Sequence, residues 1–277
     1  MSIAAKPGDP PLRVMEPVTR RIRLSQLWTS LPVTRMVASR DIKIKYKQAA
    51  LGPLWLLIAP LGLLGAVTIA FYGVTKVDTG GVPYVLFALV GLCVWIYVQL
   101  TLMTAPLALV SNSVLVRRSI CPRIALVNAT LVSNTPPLGI TLGLTLIAIA
   151  ADGSLPVQAV LLPVLVAWLV TLAWGAVVLL AAVAARFRDV VAIVPLIVQA
   201  GIFITPVGYP LQGAPENIKT LVSLNPATGM IEAWRWALLD LSPDTTAMAI
   251  AAGWTVLLAA FAWYVFGRLE VRLADYI

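Results

Sequence analysis

Six stretches of this sequence, 52–73, 84–110, 124–151, 155–185, 190–207 and 247–267, carry no charged side chain, and each approaches or exceeds the roughly 18–20 apolar residues that a helix needs to cross a bilayer. The 277-residue chain is 60% hydrophobic and only 12% charged, about half the charge fraction of a soluble domain. In hydrocarbon each backbone N–H and C=O must be paired within the segment, so these runs are expected to be helices. Nothing resembles the ten-residue alternating strands of a membrane barrel. The expected fold is therefore an all-α integral membrane protein of six transmembrane helices, the fifth short. Residues 1–32 form an N-terminal arm and 33–277 a single transmembrane domain. Pro106, Pro136, Pro137, Pro163 and Pro195 mark expected kinks or ends of helices.

Charge sets the expected orientation. With both termini cytoplasmic, all but Lys76, Lys219 and Arg235 of the 20 Lys and Arg residues fall on the inner side, as the positive-inside rule requires. The net charge of +8 is then a topology signal, and nucleic acid is not an expected partner. The first fifty residues lack the short apolar run and small-residue site of a signal peptide. Cys93 lies in an apolar run and Cys121 in a basic loop, so no disulfide is expected between them. The chain contains no His.

Two short segments have a pattern of their own. Before the first span, Ile42, Ile44 and Tyr46 alternate with Lys43, Lys45 and Lys47. An amphipathic helix along the inner interface suits this stretch better than a strand, with a solvated basic arm as the alternative. Between the fifth and sixth runs, Asn225 and Pro226 have the character of an N-cap and a first helical position. Met230, Ala233, Trp234, Ala237, Leu238 and Leu241 then recur at helical spacing, and Glu232 and Arg235 stand one turn apart. Too short and polar to span, this segment reads as an amphipathic or re-entrant helix on the outer side, or as a surface-lying loop helix.

The chemistry narrows the class of activity. The apolar runs hold no ionisable side chain of the kind that binds a driving ion in coupled carriers. No G-x-x-x-x-G-K-[ST] loop is present to cradle a nucleotide. The acids are scattered, without the paired spacing of a catalytic metal site. Transport powered from outside this chain is the expectation. Trp55, Tyr72, Trp95, Tyr97, Trp174 and Phe203 are candidates to line a glycan path, against the plainer role of packing.

Four ordered motifs carry a family resemblance. RDIKIKYKQAALGPLWLLIAP, Arg40 to Pro60, resembles the entry into the first span of ABC-2 type permeases that export lipid-linked polysaccharides, such as O-antigen, capsule, teichoic acid or mycobacterial galactan. Arg186-Phe187-Arg188-Asp189-Val190, Thr205-Pro206-Val207-Gly208-Tyr209-Pro210 and Leu224-Asn225-Pro226 with Arg235 follow in order, so the likeness covers about residues 35–267. Gly208 departs from the pattern, where relatives often carry a bulkier residue.

The resemblance implies a homodimeric pore above two copies of a separate nucleotide-binding subunit, which would hold ATP and Mg; this chain itself needs no cofactor. It implies contact with that subunit through Arg40, Asp41, Arg117, Arg118, Ile120, Cys121, Pro122, Arg123, Arg188 and Asp189. It also implies an outer gate that includes Thr205, Pro206, Tyr209, Pro210, Asn225, Pro226, Glu232 and Arg235. The function expected is export of a polyprenyl-diphosphate-linked polysaccharide across the plasma membrane. The alternatives are a permease for a lipid or drug and a membrane enzyme handling polyprenyl phosphate. Arg in excess of Lys, with abundant Ala and Val, leans towards a galactan.

Overall fold

A computed structural model describes residues 30–47, 50–73, 76–112, 114, 122–153, 155–212 and 215–272. Its regular structure in these residues is helical throughout. The helices are α1 (Leu31–Lys47), α2 (Trp55–Val67), α3 (Tyr84–Thr104), α4 (Leu107–Val110), α5 (Arg123–Ser133), α6 (Thr135–Asp152), α7 (Leu162–Arg186), α8 (Val190–Ile204), α9 (Glu216–Ser223), α10 (Pro226–Leu239) and α11 (Thr245–Arg272). Short 3₁₀ turns lead into α2 and α7, and a π-helical turn, Thr68–Gly73, ends the first apolar run.

Five helical stretches are long and apolar enough to cross a membrane: Gly52–Gly73, Tyr84–Thr104, Arg123–Asp152, Val157–Arg186 and Thr245–Val265. The expected fifth span differs from them. Helix α8 has 15 residues, which at 1.5 Å per residue covers about 22 Å of a core roughly 30 Å thick.

Proline accounts for most of the breaks. The run expected over 84–110 stops as a helix at Thr104, bends at Pro106 and resumes as the short α4, since proline cannot donate to the preceding turn. The run over 124–151 divides at Asn134, with Pro136 in the first turn of α6, where a missing N–H costs nothing. Pro60 and Pro195, in contrast, lie inside α2 and α8 without ending them.

Helix α3 is the axis of the bundle. Phe87, Ala88, Val90, Leu92, Cys93, Val94 and Tyr97 are buried to within 2%, and the helix packs against α6, α10, α8, α7 and α2. Cys93 is buried as a free thiol; Cys121 lies outside the described residues. Helices α7 and α11 form the most extensive pair, and α10 fits between α11 and α3. Helix α1 packs across α5, which places it at the end of the bundle that holds the Arg186–Asp189 turn. The 76–83 loop, the 205–212 loop and α9 lie at the far end.

One expectation changes. Helix α10 is not amphipathic: Met230, Ile231, Ala233, Trp234, Ala237 and Leu238 are fully buried, and Glu232 and Arg235 are buried with them. Its polar face is covered because the 205–210 loop and α3 close over it. A surface-lying helix is thereby ruled out. Helix α1 starts at Leu31 and takes Pro32 into its first turn. The rest of the arm lies outside the described residues.

Candidate functional site: polar clusters at the two ends of the bundle

At the α1 end, helix α1 supplies five cations, Arg35, Arg40, Lys43, Lys45 and Lys47, and two are tied into the bundle. Arg40 donates to Asp41 through Nε and Nη2, and Nη2 also donates to Asn112 Oδ1 at 2.9 Å. Lys45 Nζ donates to Asn134 Oδ1 at 2.8 Å. Asn134 Nδ2 in turn donates to Thr104 Oγ1 at 3.0 Å and to the Thr130 carbonyl at 2.9 Å. Asn134, at the helix break, and Asn112, just beyond α4, are the groups that receive α1. Burial pulls the Lys45 ammonium below its ordinary 10.5, with Asp41 opposing. A cleft of about 210 Å³ opens here, lined by Arg40, Asp41, Lys45, Asn112 and Ser133 among others.

Of the residues expected to meet a nucleotide-binding subunit, Arg40, Pro122, Arg188 and Asp189 are exposed at this end, and Asp41 is half-buried. Arg123 is buried. Arg117, Arg118, Ile120 and Cys121 lie outside the described residues.

At the far end the cluster is closed. Arg235 is 2% exposed and stands 3.5 Å from Glu232, itself 6% exposed. Its guanidinium lies over the Phe87 ring, 3.5 Å from the centroid, and Nη2 donates to the Val207 carbonyl at 2.8 Å. Only such multiple partners make a buried cation tolerable.

The TPVGYP loop is held at three points. Asn225 accepts from the Ala227 N–H as the expected N-cap, and its Nδ2 donates to Thr205 Oγ1 at 2.8 Å. Arg235 takes Val207, and the Tyr84 hydroxyl donates to the Gly208 carbonyl at 2.8 Å. Backbone proximity requires glycine on both sides of this contact. A Cβ on Gly91 of α3 would stand 2.6 Å from the Val207 oxygen. One on Gly208 would meet Val67 and Phe71 at 2.6 and 2.7 Å, which is why the bulkier residue of the family pattern has no room here. Tyr209 packs on Phe71, centroids 5.7 Å apart, and donates to the Phe203 carbonyl. Pro206 is buried and Pro210 half-buried in the same loop, and Pro226 opens α10.

Asp244 links this cluster to α9 and α11. It accepts from the Ala247 N–H at 2.9 Å, pairs with Lys219 at 3.1 Å, and gives its own N–H to Glu232 at 3.3 Å. Partial burial pushes its carboxyl up, but the Ala247 N–H and the Lys219 ammonium more than offset this and hold it below the ordinary 3.8.

Sequence reasoning missed Tyr84, Phe87 and Gly91, for they sit in an unbroken apolar run and only the returning loop gives them a role. The six candidate path aromatics do not share one surface. Trp55, Tyr72 and Phe203 are exposed on the perimeter, Trp95 and Tyr97 are buried, and Trp174 is half-buried with its indole N–H on Asn128 at 3.1 Å. Among the described residues no three His, Cys, Asp or Glu side chains gather as metal ligands.

The sequence profile described as ABC-2 type transporter matches residues 32–239. An O-antigen export system permease protein RfbA of Klebsiella pneumoniae is 20% identical over 242 residues, covering 87% of this chain and 93% of the relative. A protein of the same name from Myxococcus xanthus is 28% identical over 229 residues, covering 81% and 87% respectively.

Proposed function

Given that the chain belongs to the ABC-2 type transporter family, we propose that it is the membrane permease of an exporter that moves a polyprenyl-diphosphate-linked polysaccharide, of O-antigen or galactan type, across the plasma membrane. The observation that carries this reading is the match to permeases named for O-antigen export along 87% and 81% of the chain. The physical chemistry agrees with it. The interiors of the apolar helices hold no ionisable group for a driving ion, so the work comes from a separate ATP-hydrolysing subunit docked at the α1 end.

In this reading the α1 end is cytoplasmic, and α1 lies along the membrane interface with its lysines near anionic head groups. Helix α8 completes a sixth crossing together with the loop that follows it, and α9 and α10 form the outer gate. Two copies build the pore. Arg40, Arg188 and Asp189 are offered to the partner subunit, whose ATP-driven change reaches the gate through α8 and its three-point attachment. The neutral interior suits a long hydroxyl-rich chain.

The test is reconstitution in proteoliposomes. The chain alone should hydrolyse no ATP, and the chain with a cognate ABC-type ATPase should export a fluorescent lipid-linked glycan when ATP is added. Export driven by a proton or sodium gradient without the second subunit refutes the proposal.

A further inference from the structure

A cleft of about 540 Å³ lies beside the clamped loop at the far end, lined by Asp78, Thr79, Tyr209, Gln212 and Leu241 among others. That volume falls in the range of about 300–1,000 Å³ usual for small-molecule sites. Its floor continues into a recess of about 20 Å³ that Glu232 and Arg235 line; Phe87, Pro210, Gln212 and Leu241 border both spaces. The recess is the size of one water or one hydroxyl group.

The chemistry of the recess selects what enters it. Arg235 is 2% exposed, and its Nε–H has no hydrogen-bond partner among the described residues. Glu232 supplies the acceptor beside that donor, 3.5 Å from the guanidinium. An anion meets the Glu232 carboxylate and a cation meets the guanidinium. A hydroxyl accepts from one and donates to the other.

The walls of the cleft repeat this balance. Gln212 donates through Nε2 to the Ser242 carbonyl at 2.7 Å, which leaves its amide oxygen as an acceptor. Asp78 is exposed, with one carboxylate oxygen accepting from the Gly80 N–H at 2.9 Å. Tyr209 supplies an aromatic side chain backed by Phe71.

We propose that this cleft is a saccharide-docking site, in which one sugar hydroxyl enters the Glu232–Arg235 recess while the ring rests between Tyr209, Gln212 and Asp78. The inference rests on the polysaccharide-export reading for its biological sense, where the cleft would hold the glycan as it leaves the gate. Its ligand class is a neutral, uncharged sugar.

The experiment uses the full chain in phosphatidylcholine nanodiscs. Saturation-transfer NMR follows three probes: methyl β-D-galactopyranoside, methyl α-D-mannopyranoside and methyl α-L-rhamnopyranoside. At least one glycoside should receive transfer, and Asp78→Ala and Gln212→Ala should each lower it at least fivefold while circular dichroism and melting temperature stay unchanged. Both substitutions are at exposed positions. Transfer to none of the three, or undiminished transfer in either variant, overturns the proposal and leaves the export reading standing. Conversely, glycoside binding that depends on Asp78 and Gln212, in a chain that exports no lipid-linked glycan with its ATPase, keeps the sugar site and removes the polysaccharide reading.

Discussion

The two ends of the bundle hold their charges in opposite ways. At the α1 end, Arg40 has 47% of its side chain exposed and leans on Asp41 and Asn112; at the far end, Arg235 has 2% exposed and is enclosed by Glu232, Phe87 and the Val207 carbonyl. An exposed pair in water is worth about 0–1 kcal/mol, and it can be exchanged for a partner protein's groups at little cost. A buried charge cannot leave its partners without a penalty of several kcal/mol. One end is suited to docking, the other to holding a fixed geometry until the helices that enclose it move together.

The sharpest way to break this contrast is Arg235→Ala. It strands the Glu232 carboxylate in the bundle, for an expected loss of about 3–5 kcal/mol, read as a large fall in melting temperature in detergent. Arg235→Lys should recover only part of it, because an ammonium lacks the planar fork that reaches Val207, Glu232 and the Phe87 face together. An unchanged melting temperature for Arg235→Ala would dissolve the distinction between the ends.

Gly91→Ala comes next. Its new Cβ would press on the Val207 oxygen at 2.6 Å, and forcing an atom into such a packed contact costs about 1–3 kcal/mol. Because the loop must move off Arg235 and Tyr84, export in proteoliposomes should fall more than stability does. Equal loss of both would make Gly91 a packing residue alone.

At the α1 end, Asn134→Ala removes the acceptor of Lys45 and the donor to Thr104. The expected cost is smaller, about 1–2 kcal/mol, since Lys45 is partly solvated and can turn to water. Chemical unfolding monitored by circular dichroism would rank it against Arg235→Ala.

The smallest effect concerns acid. A carboxyl held below its ordinary value stabilises the fold above that value and loses its contribution as pH falls through the folded one. For Asp244 the loss is therefore confined to below its ordinary 3.8. Melting temperatures compared between about pH 5 and pH 3 should fall slightly less in Asp244→Asn than in the unaltered chain. An equal fall in both would show that Lys219 and the Ala247 N–H contribute nothing through this charge.

Much of the architecture was legible because its causes are local. A charge-free run long enough to bury its own hydrogen bonds is a helix in any lipid environment, so five apolar helices, the breaks at Pro106 and just before Pro136, and the cap at Asn225 follow from neighbours in sequence. The pairing of Glu232 with Arg235 was legible for the same reason, being one helical turn. What tertiary structure alone decided is which polar groups are shut away. The periodicity of α10 foretold one apolar face, yet the returning 205–210 loop and α3 cover the other face as well. Tyr84, Phe87 and Gly91 gain their roles from residues more than a hundred positions away, and no local pattern encodes a contact whose partner arrives through a loop. Composition and period determine what each segment must hide from water or lipid; only the packed chain determines what it hides against.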